Sequence, residues 1–202
     1  MFDIVAFIKA AGYLGIFAVV FAESGILIGM FFPGDSLLFT AGFLASQGYL
    51  DISILAALAF VAAVLGDQVG YQLGRRFGPK IFNRDRSFFF NPQQIARARN
   101  FYEKHGGKAV TMARFLPVVR TLAPVIAGVG EMRYGAFLFY NLIGGALWGV
   151  GLPFLGYFLG TSIPNVDRYL VPIVIGIVVL SLLPSAIHIL RDPEMRRHLW
   201  KR

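Results

Sequence analysis

From Tyr134 to Val166 the sequence contains no charged residue, and between Lys9 and Asp51 it contains only Glu23 and Asp35. Stretches this long without charge cannot form the surface of a water-soluble domain. They suit the hydrocarbon of a bilayer, about 30 Å thick and crossed by roughly 20 apolar residues in a helix. The composition agrees, with 56% hydrophobic and 15% charged residues against about 25% charged in ordinary globular chains. A net charge of +8 would suggest nucleic acid only if the Lys and Arg lay on a polar face, and here they lie between apolar blocks. With no cysteine, disulfide frameworks, thiolate metal sites and a cysteine nucleophile are excluded. The sequence therefore reads as an all-α polytopic membrane protein.

The charged blocks order the spans. An N-terminal helix is predicted over 1–22 and a first clear span over 52–74, ended by Arg75 and Arg76. Residues 75–108 gather nine basic residues against Asp85 and Glu103, and further spans follow at 134–160 and 169–190 before a basic tail at 191–202. Because Lys and Arg collect in cytoplasmic loops, both basic blocks and the C-terminus are assigned to the cytoplasm. That places 161–168 and 46–51 outside. No basic, cleavable leader is visible at the N-terminus, which is read as retained. Within 75–108, Asn91-Pro92-Gln93-Gln94 is a helix-start signature. It predicts an amphipathic helix over 92–105 that stops at Gly106-Gly107, with Ile95, Ala98, Phe101 and Tyr102 on one face, as in a helix lying at a membrane interface or a solvated connector.

Two apolar segments are broken. Residues 23–50 carry Glu23 and Asp35 around Pro33-Gly34, and residues 109–130 carry Arg114 and Arg120 around Pro117 and Pro124. Proline interrupts a helix, and freed backbone groups at membrane depth survive only where protein or a wet cavity covers them. Both segments are predicted to be re-entrant hairpins, the first entering from outside and the second from the cytoplasm. Each closes on an Ala-Gly pair (Ala41-Gly42, Ala127-Gly128) and precedes a span with small residues at close-packing spacing: Gly66, Gly70 and Gly74 in one, Gly145, Gly149, Gly156 and Gly160 in the other. The fold expected is two inverted re-entrant hairpins packed among transmembrane helices, and interrupted segments at matching positions of inverted halves point to a transporter's midplane site.

Three stretches carry a specific resemblance: Glu23 to Pro33-Gly34-Asp35, Gly66-Asp67-Gln68-Val69-Gly70-Tyr71 through Gly74-Arg75, and Arg114-Phe115-Leu116-Pro117-Val118-Val119-Arg120. Over about residues 11 to 160 the chain resembles the DedA family of bacterial inner-membrane proteins, which share the VTT domain (a SNARE-associated-type domain) with eukaryotic lipid scramblases. The resemblance implies a lipid flippase or scramblase of the bacterial inner membrane, with undecaprenyl phosphate or phosphatidylethanolamine as substrate and a tie to the proton motive force.

Read from their chemistry, Arg114 and Arg120 cost about 2.5–3.5 kcal/mol each at membrane depth and need partners. Guanidinium binds phosphate bidentately, so they are the candidate substrate-binding residues. Glu23 and Asp35 are candidate counter-charges or proton carriers. Asp67, Gln68, Tyr71 and Asn141 are accessory candidates, with Tyr71, Asn141 and Trp148 equally suited to packing or hydrogen bonding between helices. The bland alternative is a structural ion-pair cluster holding the hairpins together. His105, His188 and His198 are too scattered for a metal site. Ser24 and Ser36 have no histidine near them to make a nucleophile. No catalytic residue, metal or cofactor is predicted, and the partners expected are membrane lipids with phosphate head groups and protons. Readings of another class are a lipid-phosphate enzyme or a membrane assembly factor.

Overall fold

The computed structural model describes residues 4–25, 34–82, 100–102 and 104–162, all in helices and the turns between them. Among the described residues seven helices have both ends defined: α1 (Ile4–Gly25), α2 (Gly34–Ser46), α3 (Ile52–Phe82), α4 (Lys108–Ala113), α5 (Pro117–Val129), α6 (Tyr134–Gly149) and α7 (Gly151–Ser162). Two stretches, Ile52–Gly78 and Tyr134–Ser162, are long and apolar enough to cross a membrane. The expected span 169–190, the tail 191–202, the first hairpin's tip with Pro33, and the start of the helix expected over 92–105 lie outside the described residues.

α3 is the central element. Asp51 caps it, its Oδ1 accepting from Ser53 N at 2.8 Å and Ile54 N at 3.1 Å, which satisfies donors that a helix start leaves open. It runs past Arg75 and Arg76 to Phe82, further than the expected 52–74, because arginine is a good helix former and ends a span without ending a helix. α1, α5 and α6 pack on α3, and α2 packs on α7. Glycines make these approaches close. A Cβ at Gly66 would stand 2.7 Å from Phe21 O, and one at Gly25 2.8 Å from Gly66 O, so α1 and α3 touch backbone to backbone.

The two short helices share a design. α2 and α5 each have 13 residues, about 20 Å of helix, and each ends in the same hydrogen-bond pattern. At the end of α2, Tyr49 N donates to Leu44 O and Gly48 N to Ala45 O; at the end of α5, Met132 N donates to Ala127 O and Glu131 N to Gly128 O. This is the Schellman stop, whose left-handed residue is Gly48 (φ 79°) in one and Glu131 (φ 53°) in the other. The Ala-Gly pairs work alike: Gly42 lies against the backbone of Pro153 on α7, and Gly128 against that of Tyr71 on α3. The C-terminal end of α2 lies beside the last turn of α7, with Gln47 Nε2 3.5 Å from Gly160 O. The corresponding end of α5 lies by Gly78 of α3. The helices thus start near mid-height and run to opposite ends of the bundle.

Two features differ from the sequence expectation. Pro124, expected to break its segment, sits inside α5 and the helix runs on. Its ring suits helical φ, and Gly70 of α3 faces it, a Cβ there standing 3.3 Å from Pro124 Cβ. The interruption is instead at residues 114–116, with Pro117 at the start of α5 where its missing N–H costs nothing. The expected span 134–160 is two helices meeting at Val150, since Pro153 has no N–H to donate to Gly149 O. The helical stretch before Gly106 stops there, at φ 64°. Its Tyr102 turns inward to donate to Ala123 O at 2.9 Å, while Phe101 is exposed.

Candidate functional site

Where α2 and α5 begin, five ionic side chains from five elements meet. Glu23 comes from the last turn of α1, Asp35 from the first turn of α2, Asp67 from the middle of α3, Arg114 from the end of α4 and Arg120 from the first turn of α5. Arg114 and Arg120 are 5% and 7% exposed, so their charges are out of water and must be met by protein.

They are met in two groups. Arg114 Nη2 donates to Asp67 Oδ2 at 2.5 Å and to Asn141 Oδ1 at 2.6 Å. Asn141 is fully buried on α6 and is held by its own Nδ2 donating to Val64 O at 3.2 Å. Gly144, one turn further along α6, leaves room for the Arg114 stem, whose Cδ is 2.8 Å from where a Cβ would stand. In the second group Arg120 binds two carboxylates: Nη2 donates to Glu23 Oε1, and Nη1 to Asp35 Oδ1 at 2.6 Å. Trp148 completes it, its Nε1 donating to the same Asp35 oxygen at 2.7 Å while its ring lies 4.5 Å from Arg120 Cζ, in range for a cation–π contact. Glu23 also fills the space that a side chain at Gly34 would need, which puts its carboxylate at the start of α2, where a helix favours negative charge.

Between the groups is a cavity of about 10 Å³ lined by Ser24, Asp67, Arg114, Arg120 and Trp148, room for about one water. Among the described residues Glu23 Oε2 and Arg114 Nε are buried without a hydrogen-bond partner. The cluster holds three carboxylates against two guanidinium groups, and the side chain of Asp35 alone among the paired five is substantially exposed, at 44%.

The structure therefore brings together Glu23, Asp35, Asp67, Arg114, Arg120 and Asn141, but it assigns the acids unevenly. Glu23 and Asp35 pair with Arg120, and Arg114 takes Asp67. Gln68 and Tyr71 do not join. Gln68 is about 100° around the helix from Asp67 and accepts from Tyr134 OH at 2.8 Å; Tyr71, one turn further along, donates to Met132 O at 2.5 Å and stacks on Phe137. Trp148 was legible only as a packing or hydrogen-bonding residue. The available signal was an indole N–H inside an uncharged span, which must find an acceptor. Gly34 and Pro117 stand at the starts of the two short helices. Among the described residues no group of His, Cys, Asp or Glu could hold a metal ion.

Two short helices that start together at a buried ionic cluster, among helices long enough to cross a bilayer, define a polytopic helical membrane protein with a charged centre. The chain belongs to the DedA family of membrane proteins: the VTT domain matches residues 32–158. It is 45% identical to Protein DedA of Escherichia coli strain K12 over 181 residues, 89% of this chain and 82% of that protein. A membrane protein of Mycobacterium leprae is 45% identical over 90% of this chain and 81% of its own length, and the inner membrane protein YqjA of Escherichia coli strain K12 is 37% identical over 74% and 68%. No solved structure matches the chain.

Proposed function

We propose that this protein moves a phosphate-headed lipid between the leaflets of the bacterial inner membrane without changing it chemically, with undecaprenyl phosphate as the first candidate and phosphatidylethanolamine or another phospholipid as the second. The observation that carries this reading is the convergence of two buried guanidinium groups with the starts of two short helices. Guanidinium forks and helix N-termini both favour phosphate, and discontinuous helices whose starts face a midplane site are the usual transporter construction for an anionic ligand. At about 20 Å, α2 and α5 fall short of a 30 Å hydrocarbon core, which favours the re-entrant reading. Their opposite directions favour inverted halves, and the collection of Lys and Arg in the basic segments favours 46–51 outside and the C-terminus cytoplasmic.

With room for one water and both arginines paired, the cluster is a closed arrangement. A lipid phosphate has to displace carboxylates from the guanidinium groups, and the vacant Arg114 Nε is a donor it can use. Three carboxylates against two cations leave one negative charge in excess, which a proton on Glu23 or Asp35 would neutralise. Protonation would also loosen the hold on Arg120, so proton uptake and phosphate entry favour one another. The ion pairs also suit a purely structural role, because they tie five elements together, and that is the second reading. The test is reconstitution of the purified protein in liposomes with a labelled polyprenyl phosphate or phospholipid in one leaflet. Protein-dependent appearance of the intact lipid in the other leaflet supports transport, and lipid confined to its starting leaflet refutes it.

A further inference from the structure

Outside the ionic cluster, the outer face of α3 carries an open groove with a volume of about 470 Å³. Its floor holds a polar row, Gln68, Gln72 and Arg76, spaced four residues apart and so stacked on one side of the helix. Its apolar walls include Leu73 and Phe77, 42% and 44% exposed, and Phe21 from α1. This face belongs to a membrane-crossing stretch, where exposed glutamines are expensive unless something polar meets them. From residue 65 to 77 the groove extends about 18 Å, close to one leaflet's share of a 30 Å core.

The row's chemistry narrows the occupant. Gln68 takes one hydrogen bond at its carbonyl from the Tyr134 hydroxyl and keeps its two N–H donors, Gln72 can donate as well, and the guanidinium of Arg76 is donor-only. Donors backed by a positive charge suit an acceptor-only anion, while the walls suit a hydrocarbon chain. The inner end of the groove is level with the cluster, since Gln68 follows Asp67 along α3, with its side chain turned about 100° away from it. We infer that this groove docks one phosphate-headed lipid from the leaflet on the Arg76 side, its phosphate on Arg76 and Gln72 and an acyl chain along Leu73 toward mid-membrane, as the waiting place for the central site. The inference rests on the transport reading for its purpose but not for its test.

The test uses the full chain in phosphatidylethanolamine–phosphatidylglycerol vesicles with a phosphatidylglycerol probe bearing a diazirine on its acyl chain, and maps photolabel by mass spectrometry. Labelling of residues 65–77 should exceed labelling around Leu147 and Leu155, positions on α6 and α7 that are more exposed than Leu73 and Phe77. Gln72→Leu combined with Arg76→Leu should lower it roughly tenfold with the melting temperature unchanged, and a diacylglycerol probe lacking phosphate should show no preference. Even labelling of both faces overturns the inference. So does a crosslink showing residues 169–190 or a second copy seated in the groove, and equal enrichment with the diacylglycerol probe overturns head-group recognition. If the groove labels in a protein that moves no lipid, the groove stands and the transport proposal falls; transport with even labelling has the opposite meaning.

Discussion

Asp67 and Arg114 offer a sharp energetic test because both are buried and bound to each other. In Asp67→Asn the shape and one acceptor survive but the negative charge is lost. Arg114 cannot shed its proton and is left with only neutral partners, Asn141, the new amide and a distant Ala63 carbonyl at 3.4 Å. Removing one partner of a buried pair costs about 3–5 kcal/mol, and the roughly 2.5–3.5 kcal/mol for arginine at a helix centre in membrane gives the same scale. For a chain of this size that is a fall in melting temperature of roughly 6–20 °C. Arg114→Met should be milder, about 1–3 kcal/mol, because the stranded Asp67 can take a proton. The double variant Asp67→Leu with Arg114→Met should lie within about 1 kcal/mol of the parent, since an apolar pair can replace a buried ion pair nearly neutrally. Thermal unfolding of the parent, Asp67→Leu, Arg114→Met and their double variant in one detergent closes the cycle, with Asp67→Asn measured beside them. A double variant destabilised by the sum of its singles would refute the pairing, as would an Asp67→Asn protein melting with the parent.

Gly66→Ala places a methyl 2.7 Å from Phe21 O and should cost about 1–3 kcal/mol, whereas Gly12→Ala, with nothing within 4 Å, should be neutral or slightly stabilising; melting temperatures compare them. Single cysteines at Tyr49 and Thr161 should react with an impermeant reagent from the outside and one at Arg133 only from the cytoplasmic side; labelling of 49 and 133 from one side would refute the inverted arrangement. If protonation of Glu23 loosens its hold on Arg120, transport should rise as pH falls through the range in which that carboxyl gains its proton. Glu23→Gln should then transport without pH dependence, and a parent-like pH profile in that variant would remove Glu23 from the coupling role.

How much of this was legible in the sequence depends on distance along the chain. The interruption before Pro117, the start of α2 at Gly34, and the glycine-lined contacts of α3, α6 and α7 are local signals and were readable. The pairing of Arg114 with Asp67 was not, because it depends on the rotational phase of α3 against α4 and α6, which residue spacing does not encode. Phase also decides against Gln68 and Tyr71, both neighbours of Asp67 in sequence but turned elsewhere. Pro124 misled because proline's cost in a helix depends on its surroundings, and Gly70 across the interface accommodates its ring. The helix boundary at Val150 had its signal in Gly149-Val150-Gly151-Leu152-Pro153, obscured by the uninterrupted apolar character of the stretch.

The central claim is that Arg114 and Arg120 grip a lipid phosphate. It is tested most directly by measuring leaflet exchange of a labelled phosphate-headed lipid in liposomes containing the parent, Arg114→Lys or Arg120→Lys at matched protein content and with folding verified. Lysine keeps the charge that balances Glu23, Asp35 and Asp67 but gives up the planar fork. A charged hydrogen bond is worth about 1.5–3 kcal/mol, so each variant should fold yet move lipid roughly tenfold more slowly or worse. Full exchange by both lysine variants would contradict the claim and leave the arginines as part of the scaffold.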